Sequence, residues 1–281
     1  MHVFEQIGPL EECLKSCRED GLSIALVPTM GGLHEGHLKL IEKAKECSDV
    51  VVVSVFVNPT QFAENEDFEA YPKTLSEDKT LLEAAKVDAM FIPLDNEIYP
   101  DGSSNDYDVG EMGKILCGIS RPIHFNGVAQ VVARLFDIVK PDYAVFGEKD
   151  YQQLLIIKSL VERQDITTTV VSVPTAREPD GLATSTRNSY LRSEDRAKAP
   201  LFYQQLVDTK AAIQSGADIS SATEQAVDAL SAVFDVEYVE VLNANNLTQI
   251  TTSSSEIIII SAVRLGETRL IDNIVFRRPD V

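Results

Sequence analysis

The sequence predicts an α/β fold built on a doubly wound parallel sheet, followed by a smaller C-terminal α/β domain. Three observations carry that prediction. From Ser23 to Thr175 short apolar runs alternate with helical stretches, the pattern of βαβ units. The runs are continuous and rich in β-branched residues, as strands buried on both faces require. After Pro174 the texture changes to a polar loop, two helical stretches and three short strands.

Taken in order, the first-domain strands are expected at Ser23 to Val27, Val50 to Val57, Ala89 to Pro93, Tyr143 to Phe146 and Thr167 to Val173. Between the first two, Leu38, Ile41 and Ala44 recur at helical spacing with His34 and His37, so both imidazoles start a helix on its inward stripe. Beyond Asp180-Gly181, helices are expected around Ser193 to Gln214 and Ser220 to Phe234. Strands follow at Val236 to Leu242, Glu256 to Ala262 and Thr268 to Phe276, with Thr251 to Ser255 as a loop. The domains divide as 1–175 and 176–281.

Composition narrows the function classes. The 281 residues are 44% hydrophobic and 25% charged, ordinary globular values that support a sizeable core. No run approaches the roughly 18 apolar residues of a membrane span, and Met1 to Glu5 lack the basic start of a signal peptide, so a cytoplasmic protein with no membrane partner is expected. Four cysteines at Cys13, Cys17, Cys47 and Cys117 are too sparse for a disulfide framework. Cys13 and Cys17 lie four apart on an expected helix, but no second pair completes a zinc set, so no bound metal is expected. The net charge of −19 opposes nucleic-acid binding, which draws on Lys and Arg displacing counterions. Any nucleotide site must therefore be positive locally.

Neither a GxxxxGK[ST] P-loop nor a GxGxxG fingerprint occurs, so another element must hold phosphate. The candidate is the exit of the first strand, Thr29-Met30-Gly31-Gly32-Leu33-His34-Glu35-Gly36-His37. Its glycines allow a tight turn, and a helix start offers free N–H groups and a positive end to an anion. Gly36 keeps the surface between the imidazoles bare, and the helix end favours neutral rings that donate hydrogen bonds.

Three further segments sit where open α/β sheets bind ligands, or at the domain junction. Asn58-Pro59-Thr60-Gln61 ends the second strand, and the Gln61 amide, donor and acceptor at once, suits hydroxyl and carboxylate groups. Gly147-Glu148-Lys149-Asp150 ends the fourth: Lys149 offers a compact charge for phosphate, Asp150 could hold magnesium through water, and Gln153 lies a helical turn further on. Thr184-Ser185-Thr186-Arg187 places hydroxyls and a guanidinium in one polar loop. Preorganised donors of that kind stabilise charge on a transferring phosphorus by roughly 2–4 kcal/mol each.

Together the segments PTMGGLHEGH, VSVFVNPTQF, EAYP, SRPIHFNGV, FGEKDYQQL, DGLATSTRN and RLIDNI, in this order and nearly end to end, closely resemble the pantothenate synthetase family. These are AMP-forming ligases that join pantoate to β-alanine with ATP. The resemblance implies a Rossmann-like first domain of the HxGH nucleotidyltransferase kind, a second domain that closes on it, and a homodimer. It places Met30 through His37, Gly147 through Asp150, Ala176 (through its backbone, on adenine) and the KMSKS-like loop Thr184 to Arg187 on ATP. Gln61 falls on pantoate and β-alanine and Gln153 on pantoate, with Thr29, Asn58 and Tyr71 beside them. Arg121 and His124 also match, without an assigned role. Two residues depart from the pattern: Thr184 stands where Met or Leu is usual, and Cys117 replaces a glutamate.

The implied chemistry is attack of the pantoate carboxylate on the α-phosphorus of ATP with loss of pyrophosphate, then attack of the β-alanine amine on the acyl adenylate. No covalent enzyme intermediate is needed, so positioning and electrostatics carry the rate, with His37, Lys149, Arg187 and His34 as the catalytic candidates and Mg2+ accompanying ATP. The rival readings are an HxGH nucleotidyltransferase acting on a phosphorylated acceptor and a nucleotide sensor without turnover.

Overall fold

The structure is a computed structural model that describes residues 1–64, 66–72, 74–102 and 107–278. Among them, no helix is long and apolar enough to cross a membrane. The chain divides into two compact units, Met1–Glu148 with Gln153–Pro174, and Lys149–Gln152 with Thr175–Val281.

The first unit begins with β1 (His2–Phe4) and α1 (Ile7–Glu19), then β2 (Ile24–Thr29), α2 (Glu35–Cys47) and β3 (Val50–Val55). It continues through α3 (Leu75–Ala84), β4 (Ala89–Phe91), α4 (Asp95–Ile98), α5 (Cys117–Ser120) and α6 (His124–Val139) to β5 (Tyr143–Gly147), α7 (Tyr151–Arg163) and β6 (Thr169–Val173). The six strands are all parallel, in the order β1-β4-β3-β2-β5-β6. Each strand expected in this unit is present. The additional strand β1 pairs only with β4, through three residues, too few to show a periodicity.

Alternation along the strands feeds two cores. Ile24 and Leu26 of β2 and Val50 and Val52 of β3 pack on one face with Leu10 and Leu14 of α1, Val132 and Leu135 of α6, and Leu154 and Ile157 of α7. Ala25, Val27, Val51 and Val53 face the other way, against Ile41 and Ala44 of α2 and Leu82 of α3. With helices on both faces, every residue of β3 is buried, which is why its sequence is an unbroken apolar run apart from Ser54.

The second unit carries α8 (Ser193–Lys198), α9 (Pro200–Gln214) and α10 (Ile219–Ser231), then β7 (Asp235–Asn243), β8 (Glu256–Leu265) and β9 (Thr268–Arg277) in an antiparallel sheet of order β7-β8-β9. The helix expected from Ser193 to Gln214 is two helices. Pro200 opens the second and has no N–H to continue the ladder. Phe202, Leu206, Ala226 and Leu230 pack onto Ile257, Ile259 and Val263 of the central strand.

One contact in the first unit ties fold to site. Gly127 of α6 lies against the turn after β3, where a Cβ would fall 2.4 Å from the Thr60 carbonyl oxygen and 2.7 Å from the Gln61 nitrogen. Only glycine lets backbone meet backbone there. Gly127→Ala is expected to destabilise the protein by about 1–3 kcal/mol, the range for forced overpacking. A lowered urea midpoint checks this, and an unchanged midpoint would mean that α6 can retreat without cost.

Candidate active site

The strand order reverses at β2, which pairs with β3 on one side and β5 on the other. Parallel strands send both carboxyl ends to one edge, and the divergence of their connections leaves a crevice there. The turn Thr29 to His37 leaves β2 at that edge, and Gly147 and Glu148 leave β5 there before the chain runs on into Lys149.

Gly31 and Gly32 both adopt positive φ, +82° and +61°, which turns the chain from β2 into α2. His34 is the N-cap of α2: its Nδ1 accepts from Gly36 N–H at 3.1 Å, and its own N–H donates to His37 Nδ1 at 3.3 Å. The pair forms a reciprocal capping box made of imidazoles, with ring centroids 4.1 Å apart. A ring nitrogen that accepts carries no proton, so each neutral ring holds its proton on Nε2. The two histidines are thereby oriented as a pair of Nε2–H donors.

Four of the backbone donors expected to be free at this turn have partners. Gly31 N–H donates to Thr29 Oγ1 at 3.3 Å, Gly32 and Leu33 N–H to the Asp78 carboxylate at 3.1 and 2.8 Å, and His37 N–H to the His34 carbonyl at 2.9 Å. The positive helix end persists, but these glycine-turn N–H groups are already engaged within the protein. Asp78 escaped the sequence reading. Its signal is a carboxylate four residues before the buried Leu82 on the inner stripe of α3, a position that obliges it to find donors. Beside the turn a cavity of about 740 Å3 opens between Met30, Gly31, Val57, Phe68, Asp78 and Ile92.

Gln61 is buried at the end of the turn after β3. Its Oε1 accepts from Asn58 Nδ2 at 3.1 Å, and its Nε2 donates to the Met30 sulfur at 3.1 Å. A thioether is a weak acceptor, so the Gln61 amide hydrogens meet a partner that a hydroxyl or carboxylate oxygen would displace. Asn58 is fully engaged: Nδ2 also donates to the Gly127 carbonyl, and Oδ1 accepts from Thr60 N–H, Thr60 Oγ1 and the Tyr99 hydroxyl, the last at 2.8 Å. It reaches the site through Gln61. From the other side, Arg121 Nη2 donates to the Gln61 carbonyl at 3.3 Å and His124 Nδ1 contacts the same oxygen at 3.0 Å. The Arg121 guanidinium is paired with Glu66 at 2.5 and 2.8 Å. Tyr71 is buried with its ring edge-on to Phe62, as part of the wall. Cys117 is buried at the start of α5.

Lys149 keeps 21% of its side chain exposed and lies 3.9 Å from Asp150, which is half exposed. The pair is too long to lock the ammonium, and the Lys149 carbonyl accepts from Asn273 Nδ2 at 3.1 Å. The Glu148 carboxylate accepts from Ser172 Oγ at 3.0 Å, while Gln153 is half-buried near the start of α7.

In the second unit, Arg177 pairs with Ala183 in a β-bridge, and Thr184 N–H donates to the Ala176 carbonyl at 2.9 Å. Ser185 caps the short helical turn Thr186–Tyr190 by accepting from Arg187 N–H at 3.3 Å. Arg196 reaches both Glu178 and Asp180, at 2.6 and 2.7 Å, and its hydrogen bond holds the Asp180 carboxyl below the usual carboxylate range. Arg177 donates to both oxygens of Asp272 at 2.6 and 2.9 Å and stacks 3.5 Å over the Tyr203 ring.

The family model for pantoate-beta-alanine ligase matches residues 2–275. The chain belongs to this family. Pantothenate synthetase from Ruthia magnifica is 47% identical over 99% of this chain and all of its own length, and that from Vesicomyosocius okutanii is also 47% identical, over the whole chain. The crystal structure of pantothenate synthetase from Thermus thermophilus superposes with a TM-score of 0.91 at 41% identity, covering 98% of this chain and 99% of that one. Pantoate-beta-alanine ligase from Francisella tularensis, solved with beta-gamma ATP and beta-alanine, superposes at 0.82 with 36% identity over 98% of this chain and 97% of its own.

Besides Asp78, the sequence reading passed over three family-segment neighbours with structural roles: Tyr99 on Asn58, Glu66 on Arg121 and Asp272 on Arg177. Asp272 is only 1% exposed at its side chain, and Arg177 is its ion-pair partner. Arg177→Met is expected to cost about 3–5 kcal/mol by removing the ion-pair partner of a buried carboxylate, which among the described residues keeps only the Asn273 N–H. Denaturant unfolding followed in the second unit measures that loss; a cost under about 1 kcal/mol would show that the pair contributes nothing net.

Proposed function

We propose that this member of the pantoate-beta-alanine ligase family condenses pantoate with β-alanine to give pantothenate, consuming ATP through a pantoyl adenylate. The observation that carries the reading is the paired Nε2–H donors of His34 and His37 at the exit of β2, in a chain that matches the family from residue 2 to 275. A pantoate carboxylate oxygen attacks the α-phosphorus, and the P–O bond to the leaving group breaks with its electron pair going to pyrophosphate. The unprotonated amine of β-alanine then attacks the acyl carbon, AMP departs with the C–O electron pair, and the amine loses a proton.

Several roles follow from the chemistry. His37 and His34 donate to phosphate oxygens as negative charge shifts toward the leaving group. Lys149, only loosely accompanied by Asp150, supplies a cation to the same phosphates. Thr184, Ser185, Thr186 and Arg187, on the smaller C-terminal domain (176–281), are the loop proposed to cover them, and the Ala176 backbone the group proposed to meet adenine. Gln61 and Gln153 read the acceptor. The neutral Gln61 amide suits the hydroxyls and carboxylate of pantoate, and the neighbouring guanidinium, Arg121, is already balanced by Glu66.

Magnesium enters as part of the substrate, MgATP. Among the described residues no group of three His, Cys, Asp or Glu could cage a metal ion, so its ligands on this reading are phosphate oxygens and water, with the half-exposed Asp150 within reach through water. We further propose that the protein works in the cytoplasm as a homodimer; light scattering should return twice the chain mass, and a monomer at micromolar concentration would reject the dimer.

Incubation with MgATP and pantoate should release pyrophosphate, and addition of β-alanine should give pantothenate and AMP in equal amounts. Pyrophosphate formed only with a phosphorylated acceptor would point to a nucleotidyltransferase, and ATP binding without any product to a sensor. His37→Ala should slow pyrophosphate release about a hundredfold, as the loss of one preorganised donor does. A rate within about threefold of the parent would remove His37 from the mechanism.

A further inference from the structure

Asp78 is a buried carboxylate, 1% exposed, contributed by α3 rather than by any strand end that forms the crevice. Its partners are backbone N–H groups of the phosphate turn: Oδ1 accepts from Leu33 at 2.8 Å and Oδ2 from Gly32 at 3.1 Å. Thr74, which precedes α3, donates its hydroxyl to Oδ1 at 3.3 Å. A buried charge held by these hydrogen bonds, with no ion-pair partner among the described residues, fixes its donors in place, because releasing them would strand it in an apolar setting.

The steric fit points the same way. A Cβ on Gly31 would stand 3.0 Å from Asp78 Oδ2 and 3.2 Å from the Val55 side chain, so the turn lies directly on the carboxylate. Leu33 immediately precedes the N-cap His34, whose N–H orients the His37 ring. Anchoring Leu33 therefore anchors the first link of the imidazole pair. Gly31 and Gly32 hold their positive φ against this carboxylate, with the Gly31 N–H also tied to Thr29 Oγ1.

We propose that Asp78 is the positioning residue of the phosphate turn: through Gly32 and Leu33 it sets the His34–His37 donor pair at the spacing that the phosphates of ATP require. It acts through the backbone of the turn rather than on the reacting atoms. Its effect falls on ATP binding and on the first chemical step, and leaves β-alanine recognition alone. The kinetic part of this inference rests on the adenylation reading above, and the binding part does not.

The test compares the parent protein with D78N, which keeps the shape but can accept only one of the two N–H groups through its remaining oxygen. Calorimetric titration with MgATP should show binding weaker by about tenfold or more. Steady-state assays should show the KM for ATP raised about tenfold or more and kcat lowered about 10- to 100-fold, in line with the loss from a misplacement of about 1 Å. The KM for β-alanine should stay within about twofold. Circular dichroism and a urea titration report the folded fraction. A D78N protein with parental ATP affinity and kinetics overturns the inference, as does one whose activity falls only with its folded fraction while the KM for ATP is unchanged. If D78N does not fold, T74V removes one supporting bond from the same carboxylate. It should weaken ATP binding about two- to threefold with an unchanged KM for β-alanine, and parental ATP binding in T74V overturns the inference. A parent that binds MgATP but releases no pyrophosphate with pantoate would sink the adenylation reading, leaving the titration of D78N to decide the role of Asp78.

Discussion

Strand β2 is hydrogen-bonded to β3 on one side and to β5 on the other, with every strand parallel, so the chain must leave the sheet in opposite directions from two adjacent strand ends. Much else depends on that reversal. It opens the crevice at the edge where the Thr29 to His37 turn emerges, and it asks the turn to pass from strand to helix within a few residues. Two consecutive glycines at positive φ make the passage. The helix that follows cannot then begin with an ordinary serine or aspartate cap, because His34 occupies that position and uses His37 as its reciprocal partner. The capping of α2 and the orientation of both imidazoles are one set of hydrogen bonds, so local helix stability and donor geometry cannot be varied independently.

A second layer holds Gln61. Gln61 is fixed through both its side chain and its carbonyl: Asn58 and Met30 engage the amide, while Arg121 and His124 meet the backbone oxygen. The bare helix face at Gly127 allows α6 to approach closely enough for His124 to reach. Charge is handled locally as well. With a net charge of −19 overall, the cations near the strand ends are either balanced, as Arg121 is by Glu66, or loosely accompanied, as Lys149 is by Asp150 at 3.9 Å.

The strands of the large sheet were legible because burial on both faces leaves a plain trace, such as Val50 to Val55. Strand β1 was not, since three residues at a sheet edge owe their conformation to β4 rather than to their own pattern. The break at Pro200 was available in principle from the missing N–H. At the site, the shared helical spacing of His34 and His37 could be read from the sequence, and the structure pairs the two rings at the start of α2. Which groups donate was not readable. The acceptors for Gly32 and Leu33 lie on a helix 46 and 45 residues further along, and no local rule announces such a partner. Arg121 and His124 stood out through family resemblance, and only the folded chain shows that both converge on one carbonyl oxygen.

The loop Thr184 to Arg187 begins where Thr184 is tied to Ala176, and the intervening residues are closed by the Arg177–Ala183 bridge and braced by Arg196 on Glu178 and Asp180. Arg177 joins that closure to the antiparallel sheet through Asp272. Most of the conformational entropy of the segment is therefore surrendered when the domain folds, once per protein lifetime, rather than at each encounter with a nucleotide. A segment prepared in this way keeps its hydroxyls and guanidinium on a backbone already ordered, so whatever it meets need not supply the free energy of ordering it.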